Sequence, residues 1–366
     1  MQTAISIIGG NIAGLSAAYH LARRGFRVTV YEARIWNKPC GGAISREFVR
    51  YLRQALGIAA AGTDHFVPEL RLSFKHGPPL DMAGFFAVTR RRKLQQQLIE
   101  RLEAEPNIDF VFKRVSISDR GLFTPQTVLS TGFSGFTRQV LRENWHHSAK
   151  GTIFRFDGHI KTGGLPNRHL MAFDKQIGGY GWVFVGKNGH VNIGAGGMAG
   201  RERIRRWYED FLTALPARHG YDIRPAKPVP ACWKIPVLYA NWRHPVCFSR
   251  RGVEFIGTGD VLGLAHPVIG AGIEPAWLSG WLLALCADPQ SGRIHTRQYA
   301  RLLERNLRLT CRRPMDRALT ALLQNPLVPG KDCLGWLAAR LLAPHRVRKL
   351  QKYPWFEPVP DGRRKS

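Results

Sequence analysis

Acidic residues are scarce in this chain: 26 Asp plus Glu stand against 54 Lys plus Arg in 366 residues, a net charge of +28. Such an excess attracts nucleic acid, anionic lipid headgroups or an acidic protein, and by itself does not choose among them. Cysteine is sparse and unpatterned. Cys40, Cys232, Cys247, Cys286, Cys311 and Cys333 form no CxxC pair, which argues against a metal site or a disulfide framework and for a reducing cytoplasm. Long apolar runs are missing too. WLSGWLLALCA (277–287) is too short to span a bilayer, and the apolar N-terminus MQTAISIIGGNIAGLSAAYHLARR lacks the basic n-region of a signal peptide. A cytoplasmic protein is expected, one that meets any membrane peripherally at its inner face. Internal repeats and low-complexity tracts are also absent. With 44% hydrophobic and 22% charged residues the composition is globular, and the length favours two domains.

What is present begins with a βαβ unit. AISII (4–8) is a buried strand, the small-residue stretch GGNIAGLSAAYHLARRGF is helical, and RVTVYEA (27–33) is a second strand. Helices are predicted over 45–57 and over 89–104, the latter with Leu94, Leu98 and Leu102 on one face. Residues 107–132 read as short strands. From 151 to 256, alternating strands broken by Gly and Pro predict an antiparallel sheet. FIGTGD (255–260) then returns the chain to its first domain as strand, loop and helix. From 291 onward the sequence is helical and basic, ending in a polar tail.

The loop Gly9-Gly10-Asn11-Ile12-Ala13-Gly14 is a GxGxxG in which asparagine replaces the second glycine. In that motif the first glycine makes the turn, the second lets backbone approach a pyrophosphate, and the third lets helix pack on strand. Glu32 follows Gly14 by 18 residues at the end of the second strand, where an acid binds the adenosine ribose hydroxyls. A glycine-rich turn of any α/β protein is the bland alternative. Strand, loop, helix, strand and acid in register favour a dinucleotide, NAD or FAD.

Four further stretches narrow the choice. GTGDVLGLAHPVIGAGIEPA (257–276) runs a strand into Gly259-Asp260, then Pro267-x-x-Gly270-x-Gly272-Ile273 into a helix. RRRKL (90–94) opens a helix with Arg91. KPCGGAISREFVRYL (38–52) carries Cys40-Gly41-Gly42. Tyr180-x-Trp182-x-Phe184-Val185 puts rings on alternate positions and is followed, after eight residues, by Gly194-Ala195-Gly196. Taken singly, these would be a glycine-rich turn, a basic helix face, a small buried cysteine and an amphipathic core strand. Together they resemble the geranylgeranyl reductase family, within the para-hydroxybenzoate hydroxylase class of FAD-dependent oxidoreductases, from residue 4 to about residue 290. The chain departs from that pattern at Val185 and Ile177, where the family has proline, and at STGFSG (130–135), where the class has Gly-Ala-Asp-Gly.

The resemblance implies an α/β fold. A Rossmann-type FAD-binding domain would comprise 1–60, 86–150 and 253–290, with a discontinuous antiparallel β-sheet substrate domain (61–85 and 151–252) and a basic helical C-terminal segment (291–366). FAD would be held by Gly9, Ala13, Gly14, Glu32, Gly41, Gly42, Arg91, Asp260, Gly270, Gly272 and Ile273. Asp260 would take a ribityl hydroxyl, and the glycines after it would bring a helix N-terminus to the flavin pyrimidine. Tyr180, Trp182 and Phe184 would form a wall for a hydrophobic isoprenoid or lipid-like substrate, whose C=C bond is reduced by hydride from flavin N5. Cys40 is the implied proton donor, since a thiol with a free pKa of about 8.5 is largely protonated at neutral pH; water near the flavin is the alternative. The electron donor would be NAD(P)H or a small acidic electron-carrier protein steered by the basic surface. A flavin monooxygenase and a non-catalytic flavoprotein-like binding module, the latter suggested by Asn11, Ser134 and Val185, are the competing readings.

At the C-terminus, Arg293, Arg297, Arg301 and Arg305 are spaced by four, a stripe continued by Arg308 and Arg312. LGWLAARLLAPHRVRKLQKYPW (334–355) mixes Trp and Leu with Arg and Lys, a composition suited to an anionic membrane surface or to a solvated charged face. Nucleic acid ranks lower, because no nucleic-acid motif accompanies the charge.

Overall fold

The structure, a computed structural model, describes residues 3–311 apart from 36–37, 60–65, 76–77, 85, 142–148, 161–166, 226–230, 238–245 and 266–268. The chain opens with β1 (Ala4–Ile8), α1 (Ile12–Arg23) and β2 (Arg27–Glu32). There follow β3 (Ala43–Ser45), α2 (Arg46–Leu56), β4 (Glu69–Phe74), β5 (Leu80–Ala83), β6 (Phe86–Val88), α3 (Arg91–Glu103), β7 (Ile108–Phe112), β8 (Gln126–Leu129) and α4 (Gly135–Leu141). The middle of the chain forms β9 (Ala149–Ile160), β10 (Arg168–Asp174), β11 (Gly179–Val185), β12 (His190–Gly197), α5 (Arg201–Ala214), β13 (Ile223–Pro225) and β14 (Ala231–Val237). It closes with β15 (Cys247–Arg250), β16 (Val253–Gly257), α6 (Ile273–Leu285), β17 (Ala287–Asp288), β18 (Arg293–Ile294) and α7 (Thr296–Cys311).

Six strands form the first sheet in the order β15-β16-β8-β1-β2-β7, all parallel except the β15–β16 hairpin. A parallel sheet is covered on both faces, and its central strands bury apolar side chains: Ile5, Ile7, Val28, Val30, Val128 and Ile256 are all buried. The carboxyl ends of β1, β2, β8 and β16 therefore share one edge, which is where ligands bind in such sheets.

The second sheet runs β13-β9-β12-β11-β10-β4-β5, with β14 also paired to β9. Two features differ from the all-strand, antiparallel expectation. β4 lies parallel to β10, because it arrives from residue 69, far earlier in the chain, and not through a hairpin. Residues 201–214, expected among strands, form the helix α5. Its buried residues Ile204, Tyr208 and Phe211 recur at helical spacing, and the charged run RERIRR hides that period in the sequence. α5 covers one face of the sheet, packing with Leu170, Val183, Ile193 and Ala195. Gly181 makes room for it, since a Cβ there would lie 2.7 Å from the Trp207 ring.

α1 and α6 touch backbone to backbone. A Cβ on Gly280 of α6 would lie 2.5 Å from Ala17 N and 2.6 Å from Ala13 O, while Ser16 Oγ donates to Trp277 O at 2.5 Å. This contact explains why the α1 sequence is so rich in small residues, nearly all of them buried. Farther on, Arg293 lies in β18 and not on a helix, so the basic stripe on α7 consists of Arg297, Arg301 and Arg305, exposed opposite buried Tyr299 and Leu303. The Arg308 side chain, Arg312 and the 334–355 stretch lie outside the described residues. Among the described residues no helix is long and apolar enough to cross a membrane.

Gly280→Ala tests the helix contact. The methyl group forces backbone apart, and overpacking of this kind costs about 1–3 kcal/mol. The expected result is a lower urea midpoint at unchanged slope; an unchanged midpoint would show that α6 can slide on α1.

Candidate active site

The glycine loop is built as the motif requires. Gly9 has φ +105°, and a Cβ on Gly14 would lie 2.0 Å from Gly9 O, so helix α1 rests directly on its own loop. Asn11 replaces glycine by becoming the N-cap. Its Oδ1 accepts from Ala13 N at 3.0 Å and Gly14 N at 3.5 Å, and its amide bonds the Ser130 carbonyl at the end of β8. These amides belong to the helix end that binds anions in dinucleotide folds, so a pyrophosphate here meets a partly capped N-terminus. Glu32 accepts from Gly10 N at 2.7 Å. Burial raises its carboxyl above the usual range against the pull of the Arg34, Gly10 and Ala33 amides and of Arg91, the first residue of α3. One helical turn beyond Arg91, buried Gln95 donates to Gly10 O at 2.7 Å.

Asp260 follows β16 at the same sheet edge. Gly132, after β8, and Gly272, before α6, face it with room for a Cβ at 3.6 and 3.6 Å from their nearest neighbours. Gly259 packs on Ala13, its virtual Cβ 2.9 Å from the Ala13 methyl. Gly270 has φ +62° in the approach to Ile273, the first residue of α6. Lys38 reaches in from the loop after β2 and pairs with Asp260, both side chains only about 15% exposed or less. Pro267 lies outside the described residues.

The Cys40-Gly41-Gly42 segment stands between this edge and the second sheet. Gly42, at φ +73°, accepts from Thr89 N at 2.8 Å, and its own amide donates to Cys40 Sγ at 3.4 Å. Gly41 lies flat on the aromatic strand: a Cβ there would be 2.9 Å from the Phe184 ring and 3.5 Å from Trp182 Nε1. Buried Asn192 completes the joint, accepting from Trp182 Nε1 at 2.8 Å and donating to the Cys40 carbonyl at 3.1 Å.

Tyr180, Trp182 and Phe184 do share one face of β11, and the register shows what glycine does beside them. Gly196 pairs with Tyr180 and Gly194 with Trp182, so no β12 side chain crowds those rings. Neighbouring ring centroids run Phe74–Phe173 5.5 Å, Phe173–Tyr180 5.2 Å, Tyr180–Trp182 5.8 Å and Trp182–Phe184 5.9 Å, one continuous aromatic track. Its two ends differ. Trp182 and Phe184 are 3% and 4% exposed beneath Gly41 and Phe86, whereas Tyr180, Phe173, Phe74, Leu72 and Met82 are half-buried. The Tyr180 hydroxyl donates to the Ile269 carbonyl, next to Gly270. Burial, with Cys40 nearby, pushes that hydroxyl well above the usual phenol range, so it stays a neutral donor.

The residues present fit FAD: an acid at the end of β2, a second at the end of β16, and glycines wherever the four loops converge. Lys38, Gln95, Asn192 and Glu274 were not foreseen from the sequence. Lys38 and Glu274 lie inside the quoted stretches KPCGG and GIEPA, Asn192 alternates with Gly194 and Gly196, and Gln95 follows Arg91 by one turn; each position was legible, its partner was not. Glu274, on the first turn of α6, accepts from Ser45 N at 2.6 Å and Ser45 Oγ at 3.0 Å, tying α6 to the strand that follows Gly42. Burial pushes its carboxyl up to about 7, partly offset by the two Ser45 bonds and reinforced by Glu47.

Because the folded state holds that proton more tightly than the unfolded chain, the contribution of Glu274 to stability is full below the ordinary carboxylate pKa and is lost as pH rises through about 7. The slope is at most about 1.4 kcal/mol per pH unit. Urea midpoints across pH 5 to 8 should fall for the wild type and flatten in Glu274→Gln; equal slopes would contradict a shifted carboxyl.

Comparison with known proteins gives the same picture. Residues 4–128 match the FAD dependent oxidoreductase family. The chain is 24% identical over 314 residues to the digeranylgeranylglycerophospholipid reductase of Sulfolobus acidocaldarius, covering 76% of this chain and 68% of that protein. A geranylgeranyl bacteriochlorophyll reductase-like protein from Thermoplasma acidophilum shares the fold with a TM-score of 0.69 at 16% identity, over 92% of this chain and 90% of the other. A flavin-dependent brominase also shares it, with a TM-score of 0.66 at 12% identity over 96% and 94%. Site geometry, sequence and fold thus agree that the chain is an FAD-dependent oxidoreductase similar to the geranylgeranyl reductases.

Proposed function

We propose that this enzyme reduces C=C bonds in an isoprenoid or lipid-like chain. One observation carries the reading. The face of β4, β5, β10, β11 and β12 bearing Leu70, Leu72, Phe74, Met82, Met171, Phe173, Tyr180, Trp182 and Phe184 has no Asp, Glu, Lys or Arg, and its track of rings ends at the Cys40 loop beside the cofactor edge. An isolated alkene has no polar handle, so apolar walls must position it. The relative from Sulfolobus acidocaldarius, a reductase of a lipid bearing two geranylgeranyl chains, supports the substrate class.

FAD, when bound, supplies the hydride from its reduced N5. The chain supplies the rest. In this reading residues 1–60, 86–150 and 253–290 hold the cofactor through Gly9, Ala13, Gly14, Glu32, Arg91, Asp260, Gly270, Gly272 and Ile273, with Gly41 and Gly42 closing over it. Residues 61–85 and 151–252 hold the substrate. The half-buried end of the track at Phe74, Phe173 and Tyr180 receives the chain, while Trp182 and Phe184 back the Cys40 loop and exclude water. Gly42 N–H donates to Cys40 Sγ, which leaves the thiol proton to be given to the alkene carbon that does not take the hydride; water then restores it. Electrons come from NAD(P)H or an acidic carrier protein, steered by the +28 charge and by exposed Arg297, Arg301 and Arg305. The basic C-terminal segment would hold the enzyme at an anionic membrane surface.

The test is anaerobic. FAD-loaded enzyme reduced with dithionite should be reoxidised by geranylgeranyl lipid with formation of a saturated bond. In Cys40→Ala that reoxidation should slow about 100-fold, the usual contribution of a positioned acid, with bleaching by dithionite unchanged. Hydroxylated product that forms only when O₂ is admitted would overturn the reductase reading in favour of a monooxygenase.

A further inference from the structure

The cofactor edge contains an ion pair that the motifs do not require. Lys38 Nζ meets Asp260 Oδ2, with side chains 14% and 15% exposed. Asp260 sits where the ends of β8 and β16 and the start of α6 converge: Gly132 and Gly272 both face it, and Gly259 beside it packs on Ala13. Lys38 comes from the other side of that space, from the loop after β2 and two residues before Cys40. The segment it begins is anchored to the second sheet through the Cys40 carbonyl and Asn192. An acid placed for a ribityl hydroxyl is thus already matched by a cation, at low exposure, where solvent screens charge less than at the surface.

We propose that Lys38 is the charge-balancing residue of the flavin site: its ammonium neutralises Asp260, so that the pair, and neither residue alone, sets the potential that bound FAD meets. This inference rests on the FAD-dependent reading above. Reduction adds negative charge to the flavin. An unbalanced carboxylate next to it therefore disfavours the reduced form, and an unbalanced ammonium favours it. A lysine that merely packed the loop would affect how tightly FAD binds without giving the two partners opposite effects.

The midpoint potential of the FAD-loaded protein, read against redox dyes at about pH 8 where a free carboxylate is ionised, tests this. Lys38→Met should weaken binding of reduced relative to oxidised FAD by tenfold or more, a fall of about 30 mV for the two-electron couple. Asp260→Asn should move the potential upward, the double variant should return towards the wild type, and Lys38→Arg should leave it unchanged. Single variants that retain FAD but show no shift, or shift in the same direction, overturn the proposal. If Asp260→Asn loses FAD, Lys38→Met against Lys38→Arg still decides: a fall in the first alone sustains the proposal, and equal potentials refute it. A wild-type chain that takes up no FAD at all is a different failure, since it removes the cofactor reading on which this inference stands.

Discussion

The backbone contact between α1 and α6 is the constraint on which the site depends. Gly280 has no side chain to separate the two helices, and Ser16 bonds across to the Trp277 carbonyl, so their relative position is fixed to within a methyl group. Both helices begin at the carboxyl edge of the parallel sheet, one after β1 and the other after β16. Their N-termini, from opposite ends of the sequence, are thereby brought to one space, and the Gly259–Ala13 contact closes the gap between the two loops that precede them. A pair of weak glycine motifs becomes a cofactor edge only because the helices behind them cannot move apart.

The Cys40 loop then couples that edge to the second sheet. It is held at Lys38 by Asp260, at the Cys40 carbonyl by Asn192, at Gly41 by the Phe184 ring and at Gly42 by Thr89. Most of these partners are polar groups at low exposure, and a buried group left without its partner costs about 1–3 kcal/mol. Small displacements of the loop would break several of them together. This stiffness suits the proton-donor role proposed for Cys40, and it leaves the half-buried end of the track at Phe74 and Phe173 as the looser end, where the proposed substrate chain would enter.

Local pattern made much of this legible in the sequence. The βαβ unit, Glu32 at the end of its second strand and the alternating rings of β11 follow from period, spacing and turn chemistry, which act over a few residues, whereas Asp260 and the Cys40-Gly41-Gly42 loop stood out through the family resemblance. What stayed hidden depends on distant partners. Lys38 meets a residue more than 200 positions away, and Asn192 bonds one more than 150 positions away, so neither pairing leaves a local trace. The helix α5 was obscured for another reason: only three of its side chains are buried, and the charges between them dilute the period. The parallel β4–β10 pair was equally illegible, since alternation fixes which face a side chain takes and says nothing of strand direction.

Val185 shows how a departure from a family pattern can be absorbed. Proline at that position would fix φ and remove an N–H, ending the strand without a donor to satisfy. Valine restores the N–H inside an apolar core, and here it donates to Nδ1 of buried His169 at 3.1 Å. Because Nδ1 accepts, the neutral ring carries its proton on Nε2. That ring stacks on Phe86 with centroids 4.4 Å apart and 9° between planes, and Phe86 in turn meets the edge of Phe184 at 5.1 Å. The strand exit is therefore held by a histidine wedged between the aromatics and not by a constrained backbone. A hydrogen bond and a stack yield more readily than a pyrrolidine ring, so the deep end of the aromatic track, where Phe184 backs Gly41, owes its position to side-chain packing that a single substitution at His169 can change. The end of the track proposed to receive the reacting bond is on this account positioned from the second sheet, by a residue that packs on Phe184.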